Sequence, residues 1–106
     1  MKTILIDLDN TLVETSKFQL TEESKKLWDG LKNLDVKIVG FTSRPTMLKP
    51  FTLIHLKLLG IKLDKLIMNK PRGDVYIGNR AVNFDCRYSD ADNTIFKIKK
   101  VLEKYV

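Results

Sequence analysis

Short apolar runs alternate with amphipathic stretches along this chain, and this order limits the folds that it can adopt. Four apolar runs have the length of strands, at residues 4–8, 36–41, 66–68 and 74–77. Three stretches with apolar residues at helical spacing follow them, beginning at Thr21, near Thr46 and near Asp92. The predicted order is strand, helix, strand, helix, strand, strand, helix. This alternation is typical of a three-layer α/β fold with a mostly parallel, Rossmann-like sheet.

The ends of the predicted helices are marked by residues that favour starts and stops. Thr21 is suited to cap the first helix, which we expect to end at Asp35 after an apolar face that includes Leu34. Pro50 is expected in the first turn of the second helix, because a proline further inside would break it. Gly60 is the expected stop of that helix. Trp28 lies at core spacing within the first helix.

Composition indicates an ordinary globular chain rather than a disordered or membrane protein. The 106 residues are 43% hydrophobic and 30% charged, which fits one compact domain. No apolar run approaches the roughly 20 residues needed to span a bilayer, and the first residues are too few for a signal peptide. Cys86 is the single cysteine, so we expect no internal disulfide and a cytoplasmic protein. The net charge of +6 favours anionic partners.

The first predicted strand ends in two aspartates. Asp7 and Asp9 are two residues apart, and alternate residues of a strand point to the same side, so their carboxylates can converge at its tip. Two carboxylates in a partly buried site repel each other, and a divalent cation relieves that repulsion. Oxygen ligands suit Mg²⁺. The pair therefore predicts a magnesium site, with turn or capping roles for both aspartates as the alternative.

Three further strand tips carry polar residues that suit phosphate chemistry. Thr42 follows the second strand, and its hydroxyl could hold a phosphoryl oxygen or, alternatively, cap the helix beginning near Thr46. Lys70 follows the third strand and could neutralise a phosphate or be one of many surface lysines. Gly78 and Asn79 follow the fourth strand, where Asn79 offers a neutral oxygen to a metal or forms part of a turn. Their succession at the tips of parallel strands favours a single functional site.

Together, these motifs resemble those of the haloacid dehalogenase superfamily of phosphohydrolases. Residues 7–11 match its first motif, DxDxT, and residues 39–42 match the second, an apolar strand that ends in threonine. Residues 70–71 match the third motif, Lys-Pro, and residues 76–79 lie where the fourth, acidic motif is expected. The resemblance covers nearly the whole chain. It implies a Rossmann-like fold and a phosphatase that works through an aspartyl-phosphate.

The resemblance also implies a role for each matching residue. Asp7 would be the nucleophile, and Asp9 would be the general acid and base. Thr42 and Lys70 would stabilise the oxygens of the transferring phosphoryl group. Mg²⁺ would bind the Asp7 carboxylate, the backbone carbonyl of Asp9 and the side chain of Asn79. An aspartate at the position of Asp9 marks the phosphatases of this superfamily.

The chain departs from the family at the fourth motif, where Gly78, Asn79 and Asn83 replace the usual acidic residues. A neutral asparagine oxygen binds Mg²⁺ more weakly than a carboxylate, so the sequence predicts weakened metal affinity. The gaps between motifs are too short for a separate lid. We therefore expect residues 1–106 to form one capless domain with an open site, similar to the small capless members of the superfamily.

Residues that follow the strand tips closely are predicted to contact the substrate. They are Ser43, Arg44 and Arg80, with Arg72 in a comparable position. An arginine beside a phosphate can form two parallel hydrogen bonds to it. For each arginine, an exposed salt bridge is an equally good interpretation.

The sequence thus predicts a magnesium-dependent phosphomonoesterase. Its substrate would be a sugar phosphate, a nucleotide or the terminal phosphate of a nucleic acid, with no membrane involved. An open site could also be covered by a second copy of the chain. The alternative is a weakened or inactive module of the same fold that binds phosphorylated ligands or a protein partner. The replaced fourth motif supports this alternative, and the intact pair of Asp7 and Asp9 counts against it.

Overall fold

The computed structural model describes residues 2–17, 19–71, 73 and 80–104 of the chain. Within them, strands and helices alternate as the sequence predicts. The elements are β1 (Lys2–Asp7), α1 (Glu22–Lys32), β2 (Val36–Phe41), a 3-10 turn (Thr46–Leu48), α2 (Lys49–Leu58), β3 (Lys65–Ile67) and α3 (Ala91–Lys104). The strand predicted at residues 74–77 lies outside the described residues.

The three described strands form one parallel sheet in the order β1-β2-β3. The connections between them contain α1 and α2, since parallel neighbours need a crossover. The last residues of the strands are aligned, with Asp7 beside Phe41 and Phe41 beside Ile67. The prediction of an α/β fold with a parallel sheet is therefore confirmed for the described residues. It follows that the segments after β1, β2 and β3 leave the sheet at the same edge.

The first helix begins as predicted and ends earlier. The Ser24 N–H donates to the Thr21 hydroxyl at 3.1 Å, which is an N-terminal cap. The helix ends at Lys32 rather than at the predicted Asp35. Leu34 lies in the following turn, where its N–H donates to the Leu31 carbonyl at 3.1 Å. This tighter turn stops the helix while Leu34 still packs against the core.

The second helix and the third strand differ from prediction by one residue. Pro50 lies in the first turn of α2, and Gly60 follows its end with a φ of +79°, as expected for a helix stop. The third strand, β3, ends at Ile67 instead of residue 68. The chain turns away at Asn69, which has a φ of +59° and donates its N–H to the Arg44 carbonyl at 2.9 Å.

One apolar core joins the sheet to the helices, and it includes side chains from every described element except the 3-10 turn. Trp28 is buried in it, as its spacing predicts. Helices α1 and α3 pack so closely at Gly30 that an added Cβ would lie 2.8 Å from Ile95 Cδ1. None of the described helices is long and apolar enough to cross a bilayer.

Candidate active site

Asp7, the last residue of β1, pairs with Lys70. The Lys70 Nζ lies 3.6 Å from Asp7 Oδ2; the Lys70 side chain is largely buried and the Asp7 side chain is half-buried. The Lys70 N–H donates to the Thr42 carbonyl at 2.9 Å, which fixes the backbone beside the end of β2. Its ammonium also lies 4.2 Å from the centre of the Phe41 ring, within cation–π range. Lys70 is thus held where its charge reaches the Asp7 carboxylate.

Asp9 receives hydrogen bonds from three side chains. Arg44 donates to Asp9 Oδ1 through Nη2 at 2.6 Å and through Nε at 3.1 Å. The Thr42 hydroxyl donates to Asp9 Oδ2 at 2.9 Å. The Thr15 hydroxyl donates to Oδ1 at 3.1 Å. Charge-assisted bonds of this kind are the strong ones, so the Asp9 carboxylate is firmly oriented.

A tight turn after β1 places Asp7 and Asp9 at the same edge of the sheet. The Leu8 N–H donates to the Phe41 carbonyl at 3.2 Å, which extends the pairing with β2 by one residue. The N–H groups of Leu12 and Val13 then both donate to the Leu8 carbonyl. Asn10 takes a left-handed conformation with φ +57°, which asparagine adopts more readily than most residues. Residues 8, 12 and 13 are buried, so the turn is anchored in the core.

Thr42 contacts both Lys70, through its carbonyl, and Asp9, through its hydroxyl. It is fully buried, and its N–H donates to the Ile67 carbonyl at 3.0 Å, in line with β3. Its hydroxyl donates to Asp9 and accepts the Arg44 N–H at 3.2 Å. The alternative role as a helix cap is not seen. The 3-10 turn that precedes α2 instead has Pro45 as its N-terminal cap residue, with no side-chain hydrogen bond.

The two aspartates differ in their electrostatic setting. Burial raises the pKa of Asp7 above its usual value, and the charge of Lys70 only partly offsets this. Burial acts in the same direction on Asp9. Hydrogen bonds from Arg44 and Thr42, with the Arg44 charge, outweigh it and hold the pKa of Asp9 below its usual value. In the structure, Asp9 is therefore the more acidic of the pair.

The predicted magnesium ligands can be compared with the oxygens that the structure places here. Among the described residues, no group of three or more His, Cys, Asp or Glu side chains could hold a metal ion. The Asp9 carboxylate accepts hydrogen bonds from Arg44, Thr42 and Thr15. Of the two aspartates, Asp7 therefore has the carboxylate that is more available to a metal ion. Mg²⁺ keeps several waters and often uses one or two carboxylates with substrate phosphates. The Asp7 carboxylate and the backbone carbonyl of Asp9 are oxygen donors of the kind that such a partial site uses. Asn79, the third predicted ligand, lies outside the described residues.

The structure brings together Asp7, Asp9, Thr42, Lys70 and Arg44 from the predicted set. Ser43 lies between Thr42 and Arg44 and is half-buried. Arg80 is exposed and lines a cleft along residues 2–5 of β1, towards the end of the strand opposite to Asp7. Asn83 is exposed and lines another cleft, which also includes Asp7 and Lys70. Gly78 and Arg72 lie outside the described residues.

Sequence reasoning missed Thr15, Phe41 and the turn residues of the site. Thr15 is six residues beyond Asp9, and only the turn at residues 8–13 brings it back to that carboxylate. Phe41 is the last residue of the second predicted strand, and its contact with Lys70 depends on the path of the chain after β3. The asparagines at 10 and 69 carried the available signal, because asparagine tolerates positive φ.

Comparisons with known proteins support the fold. No protein-family model and no curated protein matches this chain. Among solved structures, the chain is similar to the crystal structure of an MCSG target from Vibrio cholerae. The TM-score is 0.67, the two chains are 19% identical, and the match covers 100% of each. At this level of identity, the likeness shows a shared fold alone.

Replacing Thr42 with valine tests whether its hydroxyl organises the site. Valine keeps the shape but removes a buried hydrogen-bond donor to Asp9 and an acceptor for the Arg44 N–H. We expect the free energy of unfolding to fall by about 2 kcal/mol, measured by chemical denaturation. Thr42→Ser, which keeps the hydroxyl, is the matched control and should lose less. A valine variant at least as stable as the serine variant would contradict this role.

Proposed function

We propose that this chain is a magnesium-dependent phosphatase of the haloacid dehalogenase type that hydrolyses phosphomonoesters through an aspartyl-phosphate on Asp7. The observation that carries the proposal is the edge of the parallel sheet where Asp7 pairs with Lys70 and Asp9 with Thr42 and Arg44. A potential nucleophile, a proton carrier and cations for a phosphate lie there together. We also propose the three-layer, capless fold that the resemblance implies, with which the described parallel sheet and helices are compatible.

In the first half of the proposed reaction, an Asp7 oxygen attacks phosphorus and the bond to the leaving oxygen breaks. Asp9 donates a proton to that oxygen. Because Arg44 holds Asp9 in its ionised form, Arg44 has to loosen its contact before Asp9 can carry the proton. A phosphate group binds a guanidinium in the same two-bond geometry as a carboxylate, so substrate can compete for Arg44.

In the second half, Asp9 accepts a proton from water as the water oxygen attacks phosphorus. The bond between phosphorus and the Asp7 oxygen breaks, which releases inorganic phosphate and restores the Asp7 carboxylate. The contact with Arg44 lowers the pKa of Asp9 and so keeps its carboxylate ionised, which is the form that can accept a proton. Lys70 and Thr42 stabilise charge on the phosphoryl oxygens throughout. Mg²⁺, held by Asp7 and the Asp9 carbonyl, would supply further positive charge at those oxygens.

The surroundings of Asp7 suit a substrate with an apolar or ring-shaped leaving group. A cleft of about 500 Å³ opens beside Asp7 and Lys70, and its wall includes Phe41 and Phe84. Pockets of this size hold small organic ligands. We propose a sugar phosphate, a nucleotide or the terminal phosphate of a nucleic acid as substrate. The net charge of +6 favours all three classes of anion.

Hydrolysis of an aryl phosphate tests the proposed function without knowledge of the natural substrate. We expect release of phosphate at millimolar Mg²⁺ and loss of that activity when a chelator is added. The high Mg²⁺ concentration matters because Asn79 replaces an acidic ligand. Preparations should be compared with the Asp7→Asn variant, so that a contaminating phosphatase is recognised. Turnover that is equal in both proteins would contradict the proposal.

A non-catalytic binding module is the second candidate. One structural observation favours it: the Asp9 carboxylate already accepts hydrogen bonds from Arg44, Thr42 and Thr15. Such a module would bind a phosphorylated ligand through Lys70 and Arg44 and leave it intact. Binding of the aryl phosphate without release of phosphate, at any Mg²⁺ concentration, would favour this candidate over the enzyme.

A further inference from the structure

Helix α2 and the 3-10 turn before it carry a continuous apolar stripe that faces away from the core. We call it the outer stripe; it comprises Met47, Phe51, Ile54 and Leu58. These side chains are between 58% and 80% exposed. Thr52 and Leu56, on the other side of the same helix, are almost fully buried in the core. The helix is therefore apolar on its inner face and on its outer face.

The spacing of the outer stripe shows that it forms a single surface. Phe51, Ile54 and Leu58 are separated by three and four residues, which stacks them along one side of α2, and Met47 precedes Phe51 by four residues in the 3-10 turn. A helix that is apolar on both sides is normally covered on both sides. The largest apolar patch on a typical monomer measures about 300–600 Å² and is often functional. An uncovered stripe of this kind indicates an interaction surface.

We propose that the outer stripe binds the outer stripe of a second copy of this chain, with the two α2 helices antiparallel about a two-fold axis. The stripe is symmetric in sequence. The pair Met47 and Leu58 and the pair Phe51 and Ile54 share one midpoint, between residues 52 and 53. In an antiparallel pair, Phe51 of each copy therefore meets Ile54 of the other, and Met47 meets Leu58. This is the self-complementarity that a two-fold interface requires.

The exposed area is sufficient for such an interface. With about 200 Å² of surface for each large side chain, the exposed fractions of the four residues leave roughly 600 Å² on the outer stripe. Two copies would then bury roughly 1,200 Å², the lower end of the range for specific complexes. The interface would be small, and we expect a reversible dimer rather than an obligate one.

Charge distinguishes a second copy of the chain from other partners that could cover the outer stripe. Residues 46–59 include Lys49 and Lys57 and no acidic residue. Each copy of the chain carries a net charge of +6, so two copies repel each other, and added salt should strengthen the dimer by screening that repulsion. An acidic protein partner or an anionic membrane would instead be held by the lysines, and salt would weaken its binding. The dependence on salt thus distinguishes the occupants.

The proposal does not depend on the phosphatase function, and sedimentation of the intact chain tests it. We expect a concentration-dependent dimer that is stronger at high salt. Phe51→Glu and Ile54→Lys should each weaken dimerisation by about 30-fold or more, as expected for a central apolar contact. Phe96→Glu is the matched control, since Phe96 is also 58% exposed on a helix but lies on α3. It should dimerise like the wild type. Circular dichroism verifies that each variant is folded.

Mixing the two variants tests the pairing itself. In the proposed arrangement, Glu at position 51 of one copy meets Lys at position 54 of the other. An equimolar mixture should therefore dimerise at concentrations where each variant alone is monomeric. A wild-type chain that stays monomeric overturns the proposal, as does a dimer unaffected by Phe51→Glu. Binding of the wild-type monomer to anionic vesicles, lost in Phe51→Glu and weakened by salt, would also overturn it.

Discussion

The Asp7→Asn variant is expected to lose phosphatase activity by ~10³-fold or more in kcat, because the proposed nucleophile is removed. The amide keeps the size of the carboxylate but cannot form the aspartyl-phosphate. Steady-state release of phosphate from an aryl phosphate at saturating Mg²⁺ measures the loss. Asp29→Asn is the matched control, because Asp29 also pairs with a cationic side chain, Lys32, through a 3.3 Å contact, and it lies on α1 away from the proposed substrate cleft. Its activity should match that of the wild type.

The stability of Asp7→Asn separates a catalytic role from a structural one. Burial raises the folded-state pKa of Asp7, so its ionised form is disfavoured in the folded protein. The neutral amide avoids this cost, and the variant should be at least as stable as the wild type at pH 7. Its advantage should shrink as the pH falls and Asp7 becomes protonated. An inactive variant that is clearly less stable at pH 7 would indicate a structural role for Asp7.

The Asp9→Asn variant is expected to lose both activity and stability. It removes the proposed general acid and base, a group that typically contributes about 10²–10⁴-fold. It also replaces the charge-assisted bonds from Arg44 with weaker ones and leaves the guanidinium without its anion. We expect the free energy of unfolding at pH 7 to fall by about 2 kcal/mol. Chemical denaturation and the aryl phosphate assay measure the two effects.

The contribution of Asp9 to the free energy of unfolding should change with pH in the opposite direction to that of Asp7. Its folded-state pKa is depressed, so its ionised form stabilises the folded protein. That stabilisation is present above the unfolded pKa of about 3.9 and is lost as the pH falls through the folded value. The gap between wild type and Asp9→Asn should therefore close in acid. A gap that is constant between neutral pH and acid would show that Asp9 contributes through its shape rather than its charge.

Most of the described fold follows from local sequence patterns. The apolar runs and helical spacings predict the three parallel strands and their connecting helices, since each strand contributes an apolar side chain to the core: Ile6, Ile38 and Leu66. Thr21 and Gly60 locate helix ends because their roles depend on neighbouring backbone atoms. The end of α1 and the bounds of β3 were each misplaced. They depend on a turn at residue 33 and on pairing with β2, which are not local.

The sequence predicted several members of the site but not their contacts. Parallel strands bring their carboxyl ends to one edge, so the convergence of Asp7, Thr42 and Lys70 follows from topology. The capture of Asp9 by Arg44 and Thr15 does not follow from it. Those contacts depend on the turn conformations at residues 10 and 69, which set where two flexible side chains can reach. Arg44 was predicted to contact substrate, and in the structure it binds Asp9.

Direct detection of a phosphoryl group on the protein is the strongest test of the account. An aryl phosphate has a good leaving group, so Asp9→Asn should still be phosphorylated, and without a base for water it should lose that group slowly. The protein would be quenched in acid after mixing with substrate and Mg²⁺ and analysed by mass spectrometry. We predict a mass gain of one phosphoryl group on the peptide that contains Asp7. Turnover by the wild type with no phosphoryl group on Asp7 in this variant would contradict the account.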